Sequence, residues 1–513
     1  MSSRVCVPRV CIAGGGISGL ALAGILANKL GNNVSIDILE RAQKGRDEGY
    51  GLDIDARGQE ALRRCGIEFP QLYWQISRER SDVMKIYHPK TASNGEAMMF
   101  TAFKPRLLQR LFPSWFPAQP ESNRAALRDL LLEQMASKCD NVSVRHSAPV
   151  SSVRLCHEGD EQSVVEGRGE NPDAVEVLGL EGELLGEYDL VVDATGVHSV
   201  LRSVRVNDPV GKHFGGLYMI HGLIEDPESK CSAEFVRRLG QGTLSVMGRG
   251  YSVWFQRFGA ASSDHRTAFF YLYWADPSLP SFDEDLLHRA VGIVPSKSRA
   301  EGLKKDAASL SMIISWLHED MGGRFDSVWH EAVDKLDRAT VRAVPVHGDE
   351  TELKSEAELG RLPLICVGDS LRNIGLGGGG NLALEDALEV SEILCKPGAF
   401  DETTGRFLPH REGVGMREVE KGMLKRKKEF HAQREKQVKW IRTRPGKQKE
   451  KEGEGKEGGE MEKDNENANF EPRLMFKRRL TRWGADLILS LCRGLFWMEE
   501  KWMPGGAGSR PAA

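Results

Sequence analysis

Val10-Cys11-Ile12-Ala13-Gly14-Gly15-Gly16-Ile17-Ser18-Gly19-Leu20-Ala21-Leu22-Ala23 reads as a buried strand, a glycine turn and the start of a helix. The helical run reaches Leu30, and Gly31-Asn32-Asn33 stops it. Val34 to Leu39 then alternates as a second strand and ends at Glu40. Strand, helix and strand in about 30 residues form a βαβ unit, which predicts a parallel sheet. The glycines have separate tasks. Gly14 makes the tight turn, Gly16 lets backbone approach a diphosphate, and Gly19 lets helix and strand pack closely. The helix start at Ile17 and Ser18 offers N–H groups and a positive dipole to that anion. Glu40 places a carboxylate where a ribose 2′-hydroxyl would donate, and it disfavours a 2′-phosphate; Arg41 follows it.

This unit fits FAD or NAD and does not choose between them. Two later stretches narrow the choice. Asp193-Ala194-Thr195-Gly196-Val197-His198-Ser199-Val200-Leu201-Arg202 follows a buried strand predicted over Tyr188 to Ala194. Val367-Gly368-Asp369-Ser370 follows another, over Leu362 to Val367, and leads through Gly375 to Gly380 into a helix from Asn381 to Cys395. With Arg124 opening an amphipathic helix to Lys138, these motifs resemble those of the single-component flavoprotein monooxygenases. That family includes para-hydroxybenzoate, phenol and urate hydroxylases. The resemblance covers about residues 8 to 410. It departs in the Asp-Ala-Thr-Gly core, in Arg372 where the family usually has His, and in the missing Pro before the glycine run.

The resemblance implies an α/β fold: a Rossmann-like FAD-binding domain with an inserted, mostly β substrate domain. It implies FAD as cofactor and NADPH or NADH as electron donor. O₂ would form a flavin C4a-hydroperoxide that hydroxylates or epoxidises an aromatic, polycyclic or secondary-metabolite-like molecule. The cofactor-binding residues it points to are Gly14, Gly16, Ile17, Ser18, Gly19, Glu40, Arg41, Arg124, Asp193, Gly196, Asp369, Gly379, Gly380 and Asn381. Catalytic residues are left unassigned. The alternatives are a FAD-dependent reductase or dehydrogenase of the same fold, and a weakly active membrane-associated flavoprotein. A halogenase lacks its signature here, and a disulfide reductase lacks its paired cysteines.

The expected division gives residues 8–210 and 345–400 to the FAD-binding domain and 211–344 to the substrate domain. The latter carries β-type runs such as Tyr251 to Phe255 and Ala268 to Trp274. Trp254, Phe255, Tyr271, Tyr273 and Trp274 suit either a packed core or an aromatic substrate. A charged helical extension follows over 401–444, then a disordered Lys/Glu/Gly linker over 445–470 and an amphipathic C-terminal helix over 471–504. That last helix either docks on the body or lies on a membrane surface.

The 70 basic and 74 acidic residues nearly cancel, which excludes a surface built for nucleic acid. Nine scattered cysteines without a Cys-x-x-Cys pair exclude a zinc ribbon or a disulfide scaffold, so no metal is expected. Cys11 and Cys366 sit in apolar runs as small core residues. No apolar run approaches the ~20 residues that cross a bilayer. No signal segment precedes the first strand, so the expected setting is cytoplasmic, with peripheral membrane contact open.

Overall fold

The computed structural model describes residues 6–44, 51–67, 83–87, 98–103, 121–156, 174–207, 213–239, 243–248, 251–259, 266–274, 311, 314–315, 318, 325–338, 340–348, 351–355, 362–375, 377–408 and 415–442. A five-stranded parallel sheet carries the glycine turns. Its strands are β1 (Arg9–Ala13), β2 (Ser35–Glu40), β7 (Val142–His146), β11 (Leu190–Asp193) and β17 (Leu364–Cys366), in the order β17-β11-β1-β2-β7. Both faces of this sheet are buried. Val10, Ile12, Leu190, Val192 and Ile365 face one apolar cluster, while Cys11, Ala13, Val191 and Leu364 face a second. Two covered faces are why β1, β11 and β17 read as apolar runs, whereas β2 and the edge strand β7 alternate.

Helices α1 (Ile17–Leu30), α2 (Ala56–Arg64), α3 (Arg124–Lys138) and α7 (Gly379–Leu394) pack on the first face. The second is covered by the antiparallel strands β8 (Val150–Leu155), β9 (Val175–Gly179) and β10 (Leu184–Tyr188). Cys11 and Cys366 are fully buried, as expected, and burial pushes both thiols well up. Among the described residues no cysteine is in a disulfide.

A seven-stranded sheet forms the second layer. It comprises β4 (Val83–Tyr87), β5 (Met98–Phe103), β12 (His213–Glu225), β13 (Thr243–Gly248), β14 (Tyr251–Gly259), β15 (Arg266–Trp274) and β16 (Arg342–Gly348), in the order β16-β12-β15-β14-β13-β4-β5. β4 and β5 thus cross the expected boundary at residue 210, since β4 pairs with β13 in parallel. One face buries Leu244, Val246, Val253, Phe255 and Phe270 against α5 (Ala233–Leu239) and α6 (Ser327–Lys335), with a short helix α4 (Pro227–Lys230) before them. Trp329 of α6 stacks on Phe255 with centroids 5.7 Å apart, and Phe235 meets both rings edge-on. Phe255 is therefore a core residue, and Trp254, its neighbour, points to the opposite face by strand alternation.

A two-stranded ribbon of β3 (Gly51–Asp53) and β6 (Glu121–Asn123) leads into α3. Of the extension expected over 401–444, residues 401–408 form a turn closed by the Phe400–Phe407 bridge, while Met416–Arg442 forms one 27-residue helix, α8. It packs on α7 and touches β12 and β14. Among the described residues no helix is long and apolar enough to cross a membrane. The predicted linker over 445–470 and helix over 471–504 lie outside the described residues.

Candidate functional site

Three motif loops leave the carboxyl ends of the adjacent parallel strands β1, β11 and β17, where open α/β sheets place their ligands. Backbone hydrogen bonds set them side by side. Ala194 N–H donates to Ala13 O at 2.8 Å, and Val367 N–H donates to Asp193 O at 2.9 Å. Ser370 Oγ sits 2.5 Å from Asp193 O and 2.6 Å from Val367 O, closing the third loop onto the second.

The first loop needs its glycines. Gly14 has φ +111°, and a Cβ there would lie 2.7 Å from the Ala194 carbonyl carbon. At Gly19 a Cβ would collide with the Gly14 carbonyl oxygen. Gly16 is the N-cap of α1, and a Cβ there would have its nearest neighbour at 4.0 Å. No side chain caps the helix and no acid occupies its first turn, so its positive end is left for an external anion. Glu40 is nearly buried; it accepts from Gly15 N–H and from Ala42 N–H, each at 2.7 Å. It thus braces the turn, with one lone pair left on each oxygen. Arg41 beside it is exposed.

Arg124 opens α3 half-buried, behind Asn123, whose side chain accepts from Ala125 N–H and Ala126 N–H. One helical turn on, Arg128 Nε donates to Gly15 O at 3.1 Å. Arg128 thus lies on the glycine turn, and no motif of the sequence marks it. Its spacing of four from Arg124, on one helix face, was the available signal.

In the second loop Asp193 is fully buried. Its Oδ1 accepts from Thr195 N–H at 3.0 Å and Thr195 Oγ1 at 2.6 Å, while Oδ2 accepts from Ser199 Oγ and faces the Cys366 thiol at 3.7 Å. Burial raises its carboxyl pKa, against the lowering effect of those bonds. Asp193 therefore holds the loop shape from beneath. Gly196, at φ +83° and with open space where a Cβ would be, is the part of the loop free to meet a ligand.

In the third loop Gly368 takes φ +64°, and a Cβ there would lie 3.0 Å from Ser18 Oγ in the first turn of α1. Two glycine motifs far apart in sequence thus abut. Asp369 faces the start of α7: a Cβ on Gly379 would be 3.7 Å from its Oδ1. Gly380 packs on Leu52. Asn381 is turned away from the loops. Its Nδ2 donates to Asp53 O at 2.7 Å, and its Oδ1 accepts from Asp55 N–H at 3.1 Å, pinning β3 and α2 to the first turn of α7. Arg372 is buried.

These features sit on a known fold, that of solved FAD-containing monooxygenases. Solved structures carry that likeness. 2,6-Dihydroxypyridine-3-hydroxylase from Arthrobacter nicotinovorans superimposes with a TM-score of 0.60 at 15% identity, over 86% of this chain and 96% of that one. HpxO from Klebsiella pneumoniae, complexed with FAD and uric acid, gives 0.58 at 18% identity, over 85% and 90%. Among curated proteins, 3-amino-4-hydroxybenzoate 2-monooxygenase PtmB3 from Streptomyces platensis is 27% identical over 217 residues, 42% of this chain and 46% of that protein. The chain thus spans about half the length of the curated relatives it matches. No protein-family model matches it.

Proposed function

We propose that this chain is a FAD-dependent monooxygenase that uses NADPH or NADH and O₂ to hydroxylate or epoxidise a small aromatic, polycyclic or secondary-metabolite-like molecule. The observation that carries this is the convergence of three glycine-bearing loops at the ends of β1, β11 and β17. The residues fit FAD. The bare N-terminus of α1, with Gly16 before it and Arg128 behind, suits a diphosphate. Glu40 keeps lone pairs for a ribose hydroxyl, a group that FMN, without an adenosine, would not bring. Open space at Gly196 and at Gly377, which has φ +66°, leaves room for a flat ring system.

When bound, FAD would accept hydride from the nicotinamide and pass electrons to O₂. The protein's share is to hold and shield it. Asp369 sits at the mouth of α7, whose N-terminal dipole favours negative charge beside it. Ile17, Ser18, Gly379 and Gly380 offer backbone at the loop surfaces, and Arg124 a cation at the start of α3. Asp193 serves by fixing loop shape, and Asn381 by pinning β3 and α2 to the first turn of α7. We assign the five-stranded sheet to the cofactor and the seven-stranded sheet to the substrate.

The substrate wall is the face of the large sheet that turns away from Phe255. Trp254 lies on it, with Ser245 Oγ and Gln256 Oε1, two buried polar atoms without a hydrogen-bond partner. An aromatic ring bearing hydroxyl or amino groups would stack on the one and satisfy the others. The aromatic compounds in the names of the similar proteins support this choice. The test is aerobic NAD(P)H oxidation by the FAD-loaded protein against phenolic and polyketide-like compounds, with product mass. Substrate-dependent oxidation and a gain of one oxygen atom are expected. Anaerobic reduction of a substrate would overturn the reading.

A further inference from the structure

Helix α8 approaches the third loop with one face. Met416, Val419 and Met423 join the apolar core, and the same face continues through Lys427 to Phe430 and His431. Lys427 is only 1% exposed, and its Nζ lies 2.9 Å from Oδ2 of Asp386, which is fully buried in α7. That same Oδ2 accepts the Gly368 N–H at 2.8 Å. Asp386 Oδ1 pairs with Arg426 at 3.0 Å, and Arg426 also reaches Glu385 and Glu389. Arg57 lies against Glu385 and Glu389 from α2.

Gly368 is in a left-handed conformation and abuts Ser18, so its amide sets both the turn that presents Asp369 and the fit of that turn against α1. Lys427 is the cation on the oxygen that holds this amide. Arg426 sits on the other oxygen, and alone it would draw the carboxylate away from Gly368. Two further contacts brace the loop from α8. A Cβ on Gly378 would lie 2.8 Å from Phe430 Cε1, and His431 Nδ1 lies 3.1 Å from Ile374 O.

We propose that α8 is part of the cofactor site, with Lys427 a positioning residue that acts through Asp386 on the Gly368 amide. This rests on the FAD reading above, because the turn so held is the one assigned to FAD. A merely structural ion pair would affect melting alone. A positioning residue also affects the local turn and the ligand it presents.

The test compares Lys427→Met, Lys427→Arg and the double variant Lys427→Met/Asp386→Leu with the full-length parent. Amide exchange of the peptide covering 364–374 is followed without cofactor, and FAD affinity is measured by fluorescence titration of folded protein. Lys427→Met should speed exchange at Gly368 and weaken FAD about tenfold, the loss of one hydrogen bond to a charged group. Lys427→Arg should restore most of both. The double variant buries no unpaired charge, so it should regain melting temperature while FAD stays weak. If it regains FAD affinity along with stability, or if Lys427→Met leaves exchange over 364–374 unchanged, the proposal is overturned. If the parent binds no FAD, the functional reading fails by itself, and the exchange arm still decides the role of Lys427.

Discussion

Replacing Gly19 with Ala sets two known effects against each other. In an ordinary exposed helix position, Gly to Ala stabilises by about 0.5–1 kcal/mol through the unfolded chain and helix propensity. At Gly19 the new methyl group would fall inside 3.0 Å of the Gly14 carbonyl oxygen, closer than real Cβ atoms come to other atoms. It would also lie 3.1 Å from Ile12 Cγ2 and 3.2 Å from Ala194 Cβ, so it has no direction in which to relax. Overpacking of this kind costs about 1–3 kcal/mol. The net expectation is a loss of about 1–2 kcal/mol in urea unfolding, together with a larger loss of FAD retention, because α1 must retreat from the turn that its N-terminus serves. Gly422 in α8 is the control: a Cβ there meets nothing within 4 Å. Gly422→Ala should raise stability by about 0.5–1 kcal/mol and leave FAD affinity unchanged. A Gly19→Ala protein that unfolds at parental urea and keeps FAD would refute the close-approach reasoning.

Other outcomes follow from buried charge and loop position. Arg205 pairs with the fully buried Glu420 of α8 at 3.0 Å, with Arg417 a more distant partner at 3.6 Å; Arg205→Ala should cost about 3 kcal/mol in equilibrium unfolding. Asp193 has a raised folded pKa, so the folded state holds its proton more tightly. The stability this adds is full below the ordinary carboxylate value of 3.8 and fades as pH rises through the folded value. The destabilisation caused by Asp193→Asn should therefore shrink as pH is raised through that window, as denaturant melts of both proteins would show. Asp369→Ala and Arg124→Ala should weaken FAD about tenfold while shifting unfolding by less than about 0.5 kcal/mol, read by flavin titration and melting of the same samples.

The parallel sheet was legible because both faces of its central strands are buried and because Gly14 and Gly19 stand where a Cβ would collide with backbone. The helices over Arg124–Lys138 and Gly379–Leu394 were legible from apolar spacing. Three things were hidden. Strand β4, paired with β5, reaches β13 across more than a hundred residues, a pairing that no local pattern signals. The directions of the Asp193 and Asn381 side chains were hidden, because the fold, not residue type, turns one beneath its loop and the other toward Asp53 and Asp55. Helix α8 read as a charged extension. Glu420, Arg426 and Lys427 are charged in sequence, and only the fold reveals their partners, Arg205 just past the second motif and Asp386 in the helix after the third.

The most direct test of oxygenase function is isotope incorporation. The FAD-loaded protein is supplied with NAD(P)H, ¹⁸O₂ and an aromatic compound that stimulates nicotinamide oxidation, and the product is weighed by mass spectrometry. The expected result is one ¹⁸O atom per product molecule, with none incorporated from labelled water. A product without ¹⁸O, or one formed equally well in the absence of oxygen, would contradict it.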